Sequence, residues 1–194
     1  MGRKTYVLPG KAGSNELIQE VAQALKGASA AFNHKYVYRG PRAAKPGVTA
    51  YTWMELRYEI EVMLGVDEEI PARYISVQVA DDTDGDRVGE ILSRKLCALS
   101  RDTLIAQARH FEKDPGGVLR LSMAVFGEDH DKEVTEILTS ALASKNSRVR
   151  SNAAMGATFI RSSKLVKPLR AALKNEDDAG VKRLLKAAIA VSAD

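Results

Sequence analysis

Basic and aromatic side chains alternate in one stretch near the N-terminus, HKYVYRGPRAAKPG at residues 34–47. Its cations are suited to attract phosphates, and its tyrosines are suited to stack on unpaired bases. The residues with this chemistry are Lys35, Tyr36, Tyr38, Arg39, Arg42 and Lys45. The stretch is therefore a candidate nucleic-acid contact. The alternative is a solvated loop whose tyrosines pack onto the first helical hairpin.

Further basic residues near the C-terminus are candidates to extend such a positive surface: Arg148, Arg150, Lys182, Arg183 and Lys186. The formal net charge of +4 is unevenly distributed, since residues 1–50 carry a net +6 and residues 51–100 a net −6. This asymmetry indicates a basic arm for an acidic partner or nucleic acid. The same arm is also able to dock on the acidic middle of its own chain.

The acidic stretch DDTDGDRVGE, residues 81–90, resembles a calcium-binding loop in its spacing of aspartates. Counted from Asp82, however, position six is Arg87 where the sharp turn needs glycine. Position twelve is Ser93 where calcium needs a bidentate acid. We therefore predict no metal site and interpret the stretch as a turn between helices.

Residues for catalysis are not grouped in any recognisable pattern. His34, His110 and His130 are far apart without ligand spacing, and Cys97 is the single cysteine. The chain contains no GxSxG, HExxH or P-loop motif. We therefore predict a non-enzymatic protein without a cofactor. The lone cysteine, together with the lack of a secretory signal or a spanning apolar run, predicts a cytoplasmic protein.

The sequence patterns of the N-terminal half mostly predict helices. Ser14 is expected to cap a helix over NELIQEVAQAL, whose apolar residues recur every four positions. Residues 28–49 contain two Gly/Pro pairs and predict a long loop. A second helix is predicted from Tyr51, and YISVQV at 74–79 is read as helical although it alternates like a strand. The second helix carries an apolar stripe of Trp53, Leu56, Ile60, Met63 and Leu64.

The C-terminal half contains an internal repeat. Segments aligned on Val88, Val118, Val149 and Val181 follow one another at steps of 30, 31 and 32 residues. In three of the four segments an aspartate lies four positions before the valine, at Asp84, Asp114 and Asp177. In the segment of Val149 that position is Lys145. Between the valines, EILTSAL (136–142) superposes on KPLRAAL (167–173). The repeating unit is therefore a helical hairpin of about 31 residues.

The segment VRSNAAMGATFIRSSKLVKPLRAALKNEDDAGVK, residues 149–182, resembles the short HEAT-like repeats called phycobilisome-lyase-type repeats. It shares their Val-Arg opening of an Ala-rich second helix and a proline, Pro168, early in the following first helix. The resemblance is good over residues 132–190 and weaker over 84–131. It implies hairpins that stack on one another, a fold found in scaffolds, nucleic-acid binders and lyase subunits.

Small residues occupy the face of the helix after Val149 where large core residues are usual: Ala153, Ala154, Gly156 and Ala157. They are expected to let neighbouring second helices pack closely. The aspartates that precede the valines are expected to cap the following helices.

These observations predict an all-α protein, an α-solenoid of stacked helical hairpins with a less regular helical N-terminal region. The expected parts are an N-terminal helix and basic loop (1–50), a helical part or cap (51–83) and HEAT-like repeats (84–194). The predicted function is a protein–protein interaction scaffold, with a protein partner and no membrane. The alternative is a nucleic-acid-binding protein using residues 34–47 and the basic repeat surface. An enzyme or lyase subunit remains a third hypothesis by analogy.

Overall fold

The computed structural model describes residues 2–10, 14–45, 48–67, 72–79, 83–126 and 132–193. The chain divides into two compact units, Met1–Leu99 and Ser100–Asp194. The boundaries expected at 50/51 and 83/84 both fall inside the first unit. Among the described residues, no helix combines the length and the apolarity needed to cross a bilayer.

The first unit is built on an antiparallel sheet, so the predicted all-α fold is wrong. In the described residues its strands are ordered β1-β5-β4-β3-β2. The elements in chain order are β1 (Gly2–Leu8), α1 (Ser14–Phe32), β2 (Tyr36–Lys45), β3 (Val48–Glu55), β4 (Ile60–Asp67), β5 (Ala72–Val79) and α2 (Thr83–Lys95).

One core joins a face of this sheet to the two helices. Alternate residues of the central strands, such as Val62, Leu64 and Val77, are at most 3% exposed and lie in one cluster with residues of α1 and α2. Its fully buried helical members are Val21 and Ala28 of α1 and Val88 and Leu92 of α2. The period of two along the strands and of about four along α1 matches a sheet covered by amphipathic helices.

Three predicted elements in this unit are corrected by the structure. The helix expected from Tyr51 is a hairpin of β3 and β4, joined by a turn over residues 56–59 in which Glu59 has φ 52°. Where the structure describes it, the long loop expected over 28–49 contains the end of α1, the edge strand β2 and the start of β3. The segment 74–79 lies in β5. An edge strand tolerates the bulge and the proline at Gly40-Pro41, because no neighbour needs the missing N–H.

The second unit consists of helices that pair as hairpins. Its elements are α3 (Arg101–Arg109), α4 (Gly116–Ala124), α5 (Lys132–Leu142), α6 (Ser147–Ile160), a 3-10 turn (Ser163–Leu165), α7 (Val166–Lys174) and α8 (Ala179–Ala193). Helices α3/α4, α5/α6 and α7/α8 pair, and α6 packs against both α4 and α8. The hairpins therefore stack through their second helices, as the repeat predicted.

The repeat register is confirmed for the last three of the aligned segments. Val118, Val149 and Val181 are each the third residue of their helix, and each is at most 4% exposed. Val88 instead lies in α2, which packs on β1 and β5 of the first unit. The stack of hairpins therefore begins with α3.

The close packing expected of the small residues is also present. Ala153 and Ala157 of α6 are fully buried. A Cβ atom added to Gly156 would lie 2.4 Å from the hydroxyl oxygen of Ser122 on α4. The small side chains thus permit a helix separation that a larger residue at Gly156 would prevent.

The capping expected of Asp114 and Asp177 is not seen. Asp114 pairs with Arg120, and α4 begins without a side-chain cap. Asp178, and not Asp177, caps α8, because its Oδ1 accepts from the backbone N–H groups of Gly180 and Val181 at 2.7 and 3.0 Å. Asn146 caps α6 by accepting from the N–H of Arg148 at 3.0 Å. Asp84 lies in the first turn of α2. The stretch 81–90, interpreted as a turn, is therefore helical wherever the structure describes it.

Candidate functional site

A concave cleft of about 700 Å³ opens between α5 and α7 of the second unit. Its apolar wall is made by Leu142 and Ala143 at the end of α5 and by three residues of α7. Those three, Pro168, Ala171 and Ala172, follow one another at helical spacing, so they lie on one face. Because the alanines are small, they leave room between the two helices. We call this feature the α5–α7 cleft.

The floor of the cleft is a bidentate ion pair between Arg150 of α6 and Glu176. Arg150 Nε donates to Glu176 Oε2 at 2.6 Å, and Arg150 Nη2 donates to Oε1 at 2.8 Å. Arg150 Nη1 also donates to the carbonyl oxygens of Ser144 and Lys145, at 3.0 and 2.9 Å. One guanidinium therefore ties the α5–α6 connection to the α7–α8 connection.

Glu176 is held by its surroundings as a carboxylate. Its side chain is 1% exposed, and its Oε1 also accepts from the backbone N–H groups of Asp177 and Asp178, each at 3.0 Å. The hydrogen bonds from Arg150, in spite of desolvation, lower the pKa of Glu176 to about 2. The same hydrogen bonding raises the pKa of Arg150. Both groups are therefore charged and mutually satisfied at neutral pH.

Two exposed carboxylates stand at the end of the cleft. Asp178 uses Oδ1 to cap α8. Asp177 is exposed and lines the same end of the cleft. The cleft thus joins an apolar wall, a neutralised polar floor and an acidic end.

A second, shallower cleft of about 470 Å³ lies between α6 and α8. Two of the predicted basic residues, Arg148 and Arg183, line it. Lys182 and Lys186 also lie on α8, where Lys182 is half-buried and Lys186 is exposed. The structure therefore separates Arg150, which is in the ion pair of the α5–α7 cleft, from the other predicted cations of the repeat.

The predicted basic stretch of the first unit is placed on and just before the edge strand β2. Lys35 and Arg39 are exposed, while Arg42 donates to Glu61 Oε1 at 2.8 Å. Tyr38 is 45% exposed, and its ring lies 5.2 Å from that of Trp53. Tyr36 is half-buried, and burial raises its pKa, with smaller effects from Glu55 and Asp84. The side chain of Lys45 is outside the described residues.

A buried polar cluster around His34 was missed by the sequence reasoning. The His34 side chain is fully buried, with Nδ1 3.3 Å from the hydroxyl of Tyr36. Its Nε2 lies 3.4 Å from Asp84 Oδ2 without forming a hydrogen bond to it. Nearby, Glu55 is 4% exposed and accepts from the N–H of Tyr58 at 2.6 Å. No sequence signal brings Asp84 to His34, because the two residues meet only when α2 packs on the sheet.

The His34 side chain is closed off from solvent, and its Nε2 has no hydrogen-bond partner among the described residues. The cluster is therefore not arranged as a solvent-accessible reaction centre. His110 is exposed at the end of α3, and His130 lies outside the described residues. In the described part of the chain, no group of three His, Cys, Asp or Glu side chains is placed to hold a metal ion. The α5–α7 cleft, by contrast, is open and combines apolar with charged groups.

Residues 102–190 match the sequence model of a family described as HEAT repeats. The match runs from α3 into α8 and so covers the stacked hairpins. It confirms the HEAT-like resemblance of the C-terminal half. HEAT repeats are generally protein-interaction scaffolds. A search of curated proteins finds no match to the chain.

Proposed function

We propose that this chain is a non-enzymatic protein-interaction module whose repeat unit binds a partner polypeptide in the α5–α7 cleft. The observation that carries the proposal is the floor of the cleft. The Arg150–Glu176 pair fixes the connections at the ends of two hairpins, so the apolar wall above it is held at a set spacing. A pre-formed surface of this kind loses little conformational freedom on binding.

Two further features support the proposal. The match to HEAT repeats covers both helices that form the cleft. The Val-Arg pair that opens α6 and the position of Pro168 in α7 support a repeat of the phycobilisome-lyase type. Stacked hairpins of such repeats form extended binding surfaces.

The proposal is tested by obstructing the cleft with one exposed substitution. Ala171→Arg places a long side chain in the cleft, whereas Ala187→Arg adds the same side chain to an exposed position of α8 outside it. Full-length protein carrying each change is immobilised and exposed to native cell extract, with and without nuclease. We expect Ala171→Arg to reduce recovery of bound proteins at least about tenfold, because steric blockage prevents the partner from reaching the centre of the interface.

Ala187→Arg should retain the same proteins as the parent, in both nuclease-treated and untreated extract. Equal recovery by the parent and by Ala171→Arg would contradict binding in this cleft. Recovery that disappears whenever nuclease is added would contradict a direct protein partner and favour nucleic acid.

A second candidate function is nucleic-acid binding by the first unit, supported by the exposure of Tyr38, Lys35 and Arg39 in one short stretch of the chain. The Tyr38 ring is 45% exposed and contacts the buried Trp53 ring, with 5.2 Å between the ring centroids. An exposed aromatic ring in a basic segment is suited to stack on a base while the cations of the segment attract phosphates. Arg42 contributes less to this surface, because Glu61 neutralises it.

The nucleic-acid candidate is tested with a labelled single-stranded oligonucleotide across a range of salt concentrations. Replacing Lys35 and Arg39 together by glutamine should reduce the slope of log affinity against log salt by about 0.7 for each phosphate that the variant no longer neutralises. Tyr38→Ala should instead lower affinity about tenfold with the slope unchanged, because stacking releases few ions. Replacing Arg161 and Lys164, exposed residues of the second unit, provides the charge-matched control. Absence of binding by the parent at low salt would eliminate this candidate.

A further inference from the structure

We infer that the segment bound in the α5–α7 cleft presents a lysine or arginine side chain next to small apolar residues. This inference rests on the proposed function and specifies the chemistry of its partner. The charges that line the cleft belong to Arg150, Glu176, Asp177 and Asp178. They sum to a net −2, so the cleft is complementary to a cation.

Because Arg150 and Glu176 neutralise each other, the net negative charge of the cleft lies at the end formed by Asp177 and Asp178. Arg150 is saturated by Glu176 and by two backbone carbonyl oxygens, so it offers little to an incoming anion. Asp177 and Asp178 are both exposed at this end, and Asp178 uses its Oδ1 for the cap of α8. A partner's acidic group would meet two like charges there, whereas a basic group would meet two opposite ones.

The apolar wall explains why a long basic side chain suits the cleft better than a small cation. Pro168, Ala171 and Ala172 form one face that leads along α7 towards Asn175 and the carboxylates beyond it. The methylene groups of lysine or arginine can pack along this face while the charged group reaches the acidic end. Small apolar neighbours in the partner would fill the remaining space against Leu142 and Ala143.

The test uses a random peptide display library selected on the immobilised full-length chain. Enriched peptides are synthesised with a fluorescent label, and their affinities are measured by fluorescence anisotropy. We expect the enriched sequences to share a lysine or arginine flanked by alanine, valine or leucine. Replacing that cation by glutamine should weaken binding about tenfold, since the charge-assisted hydrogen bond to the carboxylates is removed.

Matched variants of the protein locate the interaction. Asp177→Asn should weaken binding of the same peptides about threefold to tenfold, because Asp177 is exposed and caps no helix. Asp102→Asn, an equivalent change at an exposed position of α3 outside the cleft, should leave affinity unchanged. Higher salt should also weaken the parent more than the Asp177→Asn variant.

The outcomes separate the inference from the function on which it rests. If the enriched peptides are neutral or acidic and Ala171→Arg prevents their binding, the prediction of a basic partner is overturned. Binding in the cleft then stands. Basic peptides that bind equally well to Ala171→Arg would overturn the cleft as their site and with it both proposals. Lack of enrichment over an uncoated surface would also count against both.

Discussion

Replacing Gly156 by leucine is expected to lower the free energy of unfolding of the repeat unit by about 3 kcal/mol. Gly156 lies where α6 meets α4, and an added Cβ would be 2.4 Å from Ser122 Oγ and 3.0 Å from Ser122 Cβ. The Ser122 hydroxyl is itself bonded to the carbonyl of Val118 at 2.9 Å, so moving it breaks a buried hydrogen bond. Leucine must therefore push α6 away from α4 or displace the Ser122 side chain from the Val118 carbonyl. Urea unfolding followed by far-ultraviolet circular dichroism measures the change in stability.

Gly27 supplies a matched control in a helix without such a contact. It lies in α1, is exposed, and an added Cβ would meet nothing within 4 Å. Gly27→Ala should stabilise the protein by about 0.5–1 kcal/mol, because alanine restricts the unfolded chain and favours the helix. Gly156→Ala should instead destabilise the protein. Since Trp53 is the single tryptophan and lies in the first unit, its fluorescence reports the Gly27 variant directly. Stabilisation by both alanine substitutions would contradict close packing at Gly156.

Replacing Glu176 by alanine is expected to destabilise the repeat unit by about 2–3 kcal/mol at neutral pH. The change leaves Arg150 and the N–H groups of Asp177 and Asp178 without their shared acceptor. The expected value lies below the usual range of about 3–5 kcal/mol for breaking a buried pair, because the Arg150 side chain is 21% exposed and water can solvate it. Glu133→Ala is the control, since the Arg109–Glu133 pair is on the surface and should contribute less than about 0.5 kcal/mol.

The pH dependence of the Glu176 effect follows from its lowered pKa. A carboxyl group with a folded pKa of about 2 and an unfolded pKa near its ordinary value of 4.5 binds fewer protons in the folded state. Its stabilisation is therefore complete above about pH 4.5 and is lost as the pH falls towards 2. The stability difference between the parent and Glu176→Ala should shrink over that window. A difference that stays constant from pH 6 down to about pH 2.5 would contradict a charged Glu176 in the folded state.

The roles of these residues were only partly visible in the sequence. The small residues of α6 indicated close helix packing, and Gly156 contacts α4 as that reasoning requires. Arg150, by contrast, was interpreted as a candidate surface cation. Its partner Glu176 lies 26 positions away, across two helices, and only the packing of α6 beside the α7–α8 connection brings them together. A basic residue in a sequence gives no sign of whether it is already neutralised.

Helical repeats were predictable from the sequence because each hairpin is defined by residues close together in the chain. The valine spacing of about 31 residues places Val118, Val149 and Val181 at the same position of α4, α6 and α8. Apolar periodicity and short connections encode such a unit locally, and stacking repeats the same packing from one hairpin to the next. The sequence by itself therefore determined the hairpins from the Val118 segment onward, their order and the close packing of α6.

The sheet of the first unit was decided by tertiary contacts. The stripe Trp53, Leu56, Ile60 fits a helix, yet Trp53 and Ile60 are buried in separate strands and Leu56 is 59% exposed in the turn between them. That turn contains no glycine or proline, and the edge strand β2 contains both, so the usual turn signals were misplaced. β1 pairs with β5 about 70 residues later. Strand pairing at that distance has no local signature, because its hydrogen bonds and its buried face exist only after the chain has folded.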